Sequence, residues 1–175
     1  MIPPLFHSLE HDAPFSNCLG CGRAFLDMVE NYAITKAFRN GECVFEYALC
    51  QQCRLNLVAE FSEESKETMM NFLSDRVDLE ARSTRLADEE EVEAWISHCV
   101  ICESSASESP EHVIATAAHG EEMIFDPYPM MVCGSCEEEL QQSLSKQTRE
   151  RWDRFVSENF PGPPANALDP APSLF

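Results

Sequence analysis

Eight of the nine cysteines fall into four C-x-x-C pairs: Cys18/Cys21, Cys50/Cys53, Cys99/Cys102 and Cys133/Cys136. Two thiolates at that spacing can grip one metal ion, so four pairs supply two complete tetrahedral sites. This constrains the fold more than any other feature. Units built around single sites would be small, with apolar cores too slight to be comfortable alone. A structural zinc ion supplies the missing stability, on the order of 10 kcal/mol or more per site.

The spacing of the pairs also points to a repeat. The gaps between them run over 22–49, 54–98 and 103–132, short, long and short, and the two short ones are nearly equal. The flanks agree, since Phe15-Ser16-Asn17-Cys18 matches Ile96-Ser97-His98-Cys99, and Val44-Phe45-Glu46 matches Ile124-Phe125-Asp126 eighty positions on. After the second pair the offset becomes 83, with Leu57 meeting Leu140, Ser62 meeting Ser145 and Phe72 meeting Phe155. A three-residue insertion near Pro127-Tyr128-Pro129 accounts for the change. The pattern indicates an internal duplication. It favours sequential sites, pairs one with two and three with four, over a cross-braced arrangement of one with three.

Within each repeat the order is pair, hairpin, pair, helix. In the first, Tyr32 to Phe38 and Cys43 to Tyr47 are β-rich runs around Asn40-Gly41, the strongest short hairpin signal. In the second, Val113 to Ala118 and Met123 to Phe125 bracket Gly120. After Cys53, apolar residues Leu57, Val58, Phe61, Met69, Phe72 and Leu73 recur at helical spacing; after Cys136, Leu140, Leu144, Trp152, Phe155 and Val156 do so. Ser62 and Ser145 stand at aligned positions suited to capping a second helix in each repeat. The expected class is therefore α+β, with a first unit over 1–80 and a second over 81–160. Residues 88–96 suit a short capped helix between the repeats, and the tail 161–175, with five prolines, reads as disordered.

A knuckle pair, a hairpin and a second pair at the first turn of a helix resemble the treble-clef zinc finger. Cys18-Leu19-Gly20-Cys21-Gly22 looks like its knuckle, with glycine after the second ligand, and Cys50-Gln51-Gln52-Cys53 like its helix-borne pair. In the second copy the corresponding runs are Cys99-Val100-Ile101-Cys102 and Cys133-Gly134-Ser135-Cys136, with Glu103 where the first has Gly22. The resemblance implies two structural zinc ions. A zinc ribbon, with a strand after the second pair, is the rival, and rubredoxin-like sites show that iron can occupy similar pairs.

Other chemistry finds little support. Four thiolates close a tetrahedral site, leaving no position for an activated water, so a catalytic metal is not expected. The residues inside the four pairs differ, and no thioredoxin-like βαβ setting surrounds them, which disfavours a thiol oxidoreductase. No histidine lies between Cys18 and Arg76, so the first repeat cannot carry a histidine-based nuclease centre; His112 and His119 in the second align with Tyr32 and Arg39 and read as surface residues. Cys43 aligns with Met123 and reads as a small apolar strand residue.

The formal charge is −19, and eight thiolates with two dications take it to about −23. Such a chain repels phosphate backbones. Its one cationic cluster, Lys146, Arg149, Arg151 and Arg154, is interleaved with Glu150 and Asp153 and reads as a helix face of intrahelical ion pairs. No apolar run is long enough to span a bilayer, and the N-terminus lacks the pattern of an export signal, so a reducing cytoplasm is expected. The expectation is a non-enzymatic protein with two structural zinc ions, recognising another, basic, protein through an acidic surface. The alternatives are a nucleic-acid-associated regulator and a zinc-thiol redox sensor.

Overall fold

The computed structural model describes residues 1–160. The proline-rich tail 161–175 lies outside the described residues. Within them the chain is a mixed α+β fold with one antiparallel sheet and six α-helices.

Strands β1 (Tyr32–Arg39) and β2 (Glu42–Cys50) form the first hairpin. Its two-residue turn puts Asn40 at φ +50° and Gly41 at φ +83°, the left-handed pair that a tight, right-twisted hairpin demands. Helices α1 (Gln51–Ala59) and α2 (Glu63–Ser74) follow. Next come α3 (Leu79–Leu86) and the short α4 (Val92–Trp95), which carry the chain to the second half. There β3 (Glu111–His119), β4 (Glu122–Ile124) and β5 (Met130–Cys133) lead into α5 (Gly134–Ser143) and α6 (Lys146–Asn159). The first half's β2 is unbroken. Its counterpart is split into β4 and β5 by a loop over residues 125–129, where the three-residue insertion was placed.

The sheet runs across both halves in the order β2-β1-β3-β4, with β5 also on β3. At the junction β1 and β3 pair antiparallel, and Thr35 faces Ala115, a residue eighty positions on. Residues alternate across the sheet as the strand period requires. Phe45, Tyr47 and Leu49 belong to the helical face, where Tyr47 meets Trp152 and Phe155 and Phe45 meets Phe160. The opposite face bears Tyr32, stacked on Phe25 at 3.8 Å, and the buried Lys36, whose ammonium donates to His7 O at 2.5 Å and pairs with Glu46 at 3.1 Å. Glu46 also accepts from Ser8 Oγ and Leu9 N, so this pair straps the N-terminal segment onto the strands.

The helical layers of the two halves meet through reciprocal caps. Ser62 is the N-cap of α2 and Ser145 the N-cap of α6, and their hydroxyls lie 2.8 Å apart. Ser62 N donates to Thr148 Oγ1 at 3.1 Å, and Ser145 N donates to Ser65 Oγ at 2.9 Å. Ser65 and Thr148, themselves 83 positions apart, are fully buried. Ser62 and Ser145 thus cap not only their own helices, as anticipated, but complete one another. Two fork-to-fork ion pairs also cross between the halves, Arg76 with Glu139 and Arg151 with Glu60. Arg151 therefore departs from the expected intrahelical pairing, because the end of α1 offers it a bidentate carboxylate; Lys146 and Glu150 keep to the i, i+4 pattern.

A single apolar cluster spans both halves, from Ile2 and Phe6 through Ile34 and Tyr47 to Leu140, Trp152 and Phe155. In the connecting segment, Arg82 is only 6% exposed. Its guanidinium donates to Pro127 O at 2.5 Å, Pro129 O at 2.7 Å and Trp95 O at 2.8 Å, and sits over the Trp95 ring. It fastens the loop between β4 and β5 to α3 and α4.

Candidate metal centres

Each group of cysteines is assembled from a knuckle and a strand-to-helix junction. In the first knuckle, Cys18 N donates to Arg23 O and Gly22 N to Cys18 O, folding the backbone back within six residues. Gly22 adopts φ +71°, which glycine accepts freely. Gly20 is set close to a ligand: a Cβ there would lie 3.0 Å from Cys53 Sγ, a tight contact to which the sulfur would have to yield. Leu19 N donates to Ala48 O at 2.9 Å, latching the knuckle to the edge of β2. Cys50 ends that strand and caps α1, and Cys53 lies in the helix's first turn.

The second centre repeats this geometry with different residues. Cys99 N donates to Ser104 O, Glu103 N to Cys99 O, and Val100 N to Met131 O, which latches the knuckle to β5. Glu103 takes the left-handed conformation itself, at φ +60°, so the missing glycine alters the residue and not the fold of the knuckle. Cys133 ends β5 and Cys136 lies in the first turn of α5.

The result is two four-sulfur groups, Cys18 with Cys21, Cys50 and Cys53, and Cys99 with Cys102, Cys133 and Cys136. Within each group all sulfurs lie within 4.8 Å of one another, and Cys102 and Cys133 are 3.6 Å apart. A tetrahedron with metal–sulfur bonds of about 2.3 Å has edges of about 3.8 Å, so either group could hold a metal ion. All nine cysteines are free of disulfides. The partition is sequential; the cross-braced alternative is not what forms.

Backbone donors support the sulfurs. Cys50 N points at Cys18 Sγ (3.3 Å), Cys53 N at Cys50 Sγ (3.5 Å) and Cys133 N at Cys99 Sγ (3.4 Å). One sulfur of each group faces solvent, Cys21 and Cys102. Cys21 is lowered to about 6, chiefly by the backbone of Arg23, and Cys102 to about 6, chiefly by the Ser104 hydroxyl 3.2 Å away. Burial pushes Cys18, Cys53, Cys99 and Cys136 up, because a thiolate taken out of water loses its hydration, and neighbouring cysteines raise Cys53, Cys99 and Cys136 further. A divalent cation at either centre would supply the positive charge that offsets this cost for the buried thiolates. The donor set therefore fits a thiophilic ion in a closed tetrahedral site.

The remaining candidates lie elsewhere. His98 Nδ1 contacts Ser97 Oγ, and His112 Nδ1 contacts Ser109 O while its ring stacks on Phe38; neither joins a cysteine group. Cys43 sits half-buried in β2, its thiol near Phe45 O. Sequence reasoning missed Arg23, whose guanidinium lies 3.9 Å from Cys50 Sγ and is held by Glu30 at 2.7 Å. Its place just after Cys21-Gly22 was the available signal. No helix among the described residues is long and apolar enough to cross a membrane.

These two centres on a shared sheet define a class, a small α+β protein with paired four-cysteine groups. Comparison with protein families, curated proteins and solved structures finds no match for the chain.

Proposed function

We propose that the chain is a non-enzymatic, cytoplasmic protein that holds two structural zinc ions and recognises another protein through an acidic surface. The observation that carries this reading is the pair of closed sulfur groups, each with its four ligand atoms within 4.8 Å of one another. Four sulfur ligands leave a bound zinc no open position for substrate or water, so the metal acts as scaffolding. Zinc is favoured over iron as the commoner occupant of such sites.

The order of knuckle, hairpin and helix in both halves supports a duplicated treble-clef origin. A helix, not a strand, follows Cys53 and Cys136, as a treble clef requires and a zinc ribbon does not. The facing of Thr35 with Ala115 and the reciprocal Ser62 and Ser145 caps are what two copies docked about a two-fold would produce. The net charge of −19 makes a basic protein the better-suited partner and a nucleic acid the worse one.

Native mass spectrometry should count two zinc ions per chain, both removed by a strong chelator with loss of the folded circular-dichroism spectrum. Immobilised zinc-loaded chain should then retain a basic protein at low salt and release it near 0.5 M salt, where the Debye length is only a few ångströms. Retention of nucleic acid in its place, or a metal bound with an exchangeable water, would overturn the proposal.

A further inference from the structure

We infer that the two metal centres load cooperatively: filling one raises the affinity of the other. The inference rests on the zinc reading and adds a coupling that two independent scaffold sites would not have. Metal binding to a thiolate site is coupled to folding, because the site does not exist in the unfolded chain. Whether two such sites are independent therefore depends on whether the structures they order are independent. Here they are not.

Cys50 is the last residue of β2, and its partner across the ladder is Tyr32 of β1. Cys133 is the last residue of β5 and pairs with His112 of β3. Strands β1 and β3 are in turn zipped along eight consecutive pairs, from Tyr32↔Ala118 to Arg39↔Glu111. A metal at the first centre fixes the end of β2 and so the hairpin. That hairpin is the template on which β3, and with it Cys133, must form. The reverse path is identical.

The helices give a second, separate link. Cys53 opens α1 and Cys136 opens α5, and each leads within about a dozen residues to the N-cap serine of α2 or α6. Neither cap is complete alone. Ser62 N needs the Thr148 hydroxyl of the other half, and Ser145 N needs that of Ser65. If one half is disordered, the Ser62 or Ser145 amide of the other loses its protein acceptor, and the apolar cluster shared by the halves is laid open to water. Half-folded, singly loaded chains are therefore disfavoured against both the empty and the doubly loaded states. Linkage makes the effect reciprocal: whichever centre fills first helps the other by the same factor.

The experiment is a zinc titration of the full chain, equilibrated in a chelator buffer that sets free zinc and read by native mass spectrometry as empty, one-zinc and two-zinc populations. Two independent equal sites give half of the chains one zinc at half saturation, and unequal independent sites give more. A tenfold coupling, within the usual allosteric range, lowers that to about a quarter. The expected result is a one-zinc population of about a quarter or less. The double variant S65A/T148A, which removes the two hydroxyls that accept from Ser145 N and Ser62 N but no ligand, is expected to raise it toward half. A one-zinc population at or above half in the wild-type chain would overturn the inference. A chain that binds no zinc, or more than two ions, would instead fail the scaffold reading itself, so the two failures are distinguishable.

Discussion

The two knuckles allow a paired experiment on backbone conformation, because equivalent positions carry Gly22 at φ +71° and Glu103 at φ +60°. A residue with a Cβ in the left-handed region costs roughly 1–2 kcal/mol relative to the ordinary helical region, a penalty glycine escapes. Glycine gives back roughly 0.5–1 kcal/mol through the greater freedom of the unfolded chain. Glu103→Gly should therefore stabilise the zinc-loaded protein by about 0.5–1 kcal/mol, and Gly22→Ala should destabilise it by a similar amount. A Cβ at Gly22 would meet nothing within 4 Å, so crowding adds nothing to the second figure. Glu103 is exposed, so little else is lost at that site. Removal of the negative charge beside Cys102 is a second effect, isolated by Glu103→Ala, which discards the carboxylate and keeps the Cβ. The assay is denaturant unfolding at fixed free zinc, monitored by circular dichroism. Stabilisation by Glu103→Ala equal to that of Glu103→Gly would show that charge, not backbone conformation, governs the second knuckle, and would refute the reasoning.

Three further outcomes follow from buried polar groups. Lys36→Met leaves the Glu46 carboxylate and His7 O without their cation and should cost about 3 kcal/mol, with residues 1–13 becoming open to limited proteolysis; an unchanged cleavage pattern would contradict the strap. Arg82→Lys cannot span the carbonyls of Pro127, Trp95 and Pro129 at once and should lose about 2 kcal/mol, with Arg82→Met losing more; equal stability of the lysine variant would show that the fork geometry is not needed. Burial, reinforced by Glu111, raises the half-buried Glu137 to about 8, so its carboxyl is held neutral in the fold. For a carboxyl raised in this way, the stabilisation is present below the ordinary carboxylate range and is lost as pH rises toward 8. Glu137→Gln should therefore gain in melting temperature over the wild type between pH 5 and 8, and a constant difference would refute the assignment.

What the sequence made legible was what depends on near neighbours. The ligand pairs, the Asn40-Gly41 turn, the serine caps and the helix after each second pair all follow from spacing and local backbone preference. Glu103 shows the limit of motif reading, because the knuckle's hydrogen bonds hold a glutamate in a conformation for which the motif names glycine. In the connecting segment, local pattern suggests only the short helix within residues 88–96. Helix α3 depends on Arg82, whose partners are carbonyls 13 to 47 positions away, and composition cannot reveal such contacts. The junction of the halves was legible only in outline. Strand β1 carries the small residues Ala33, Thr35 and Ala37 on the helical face and Tyr32, Ile34 and Lys36 on the other, a pattern equally suited to an edge or to the centre of a sheet. Its pairing with β3 emerges only when both hairpins exist. This is the same long-range dependence that couples the metal centres, because the contacts that hid the architecture from local reading are those that let neither half be completed without the other.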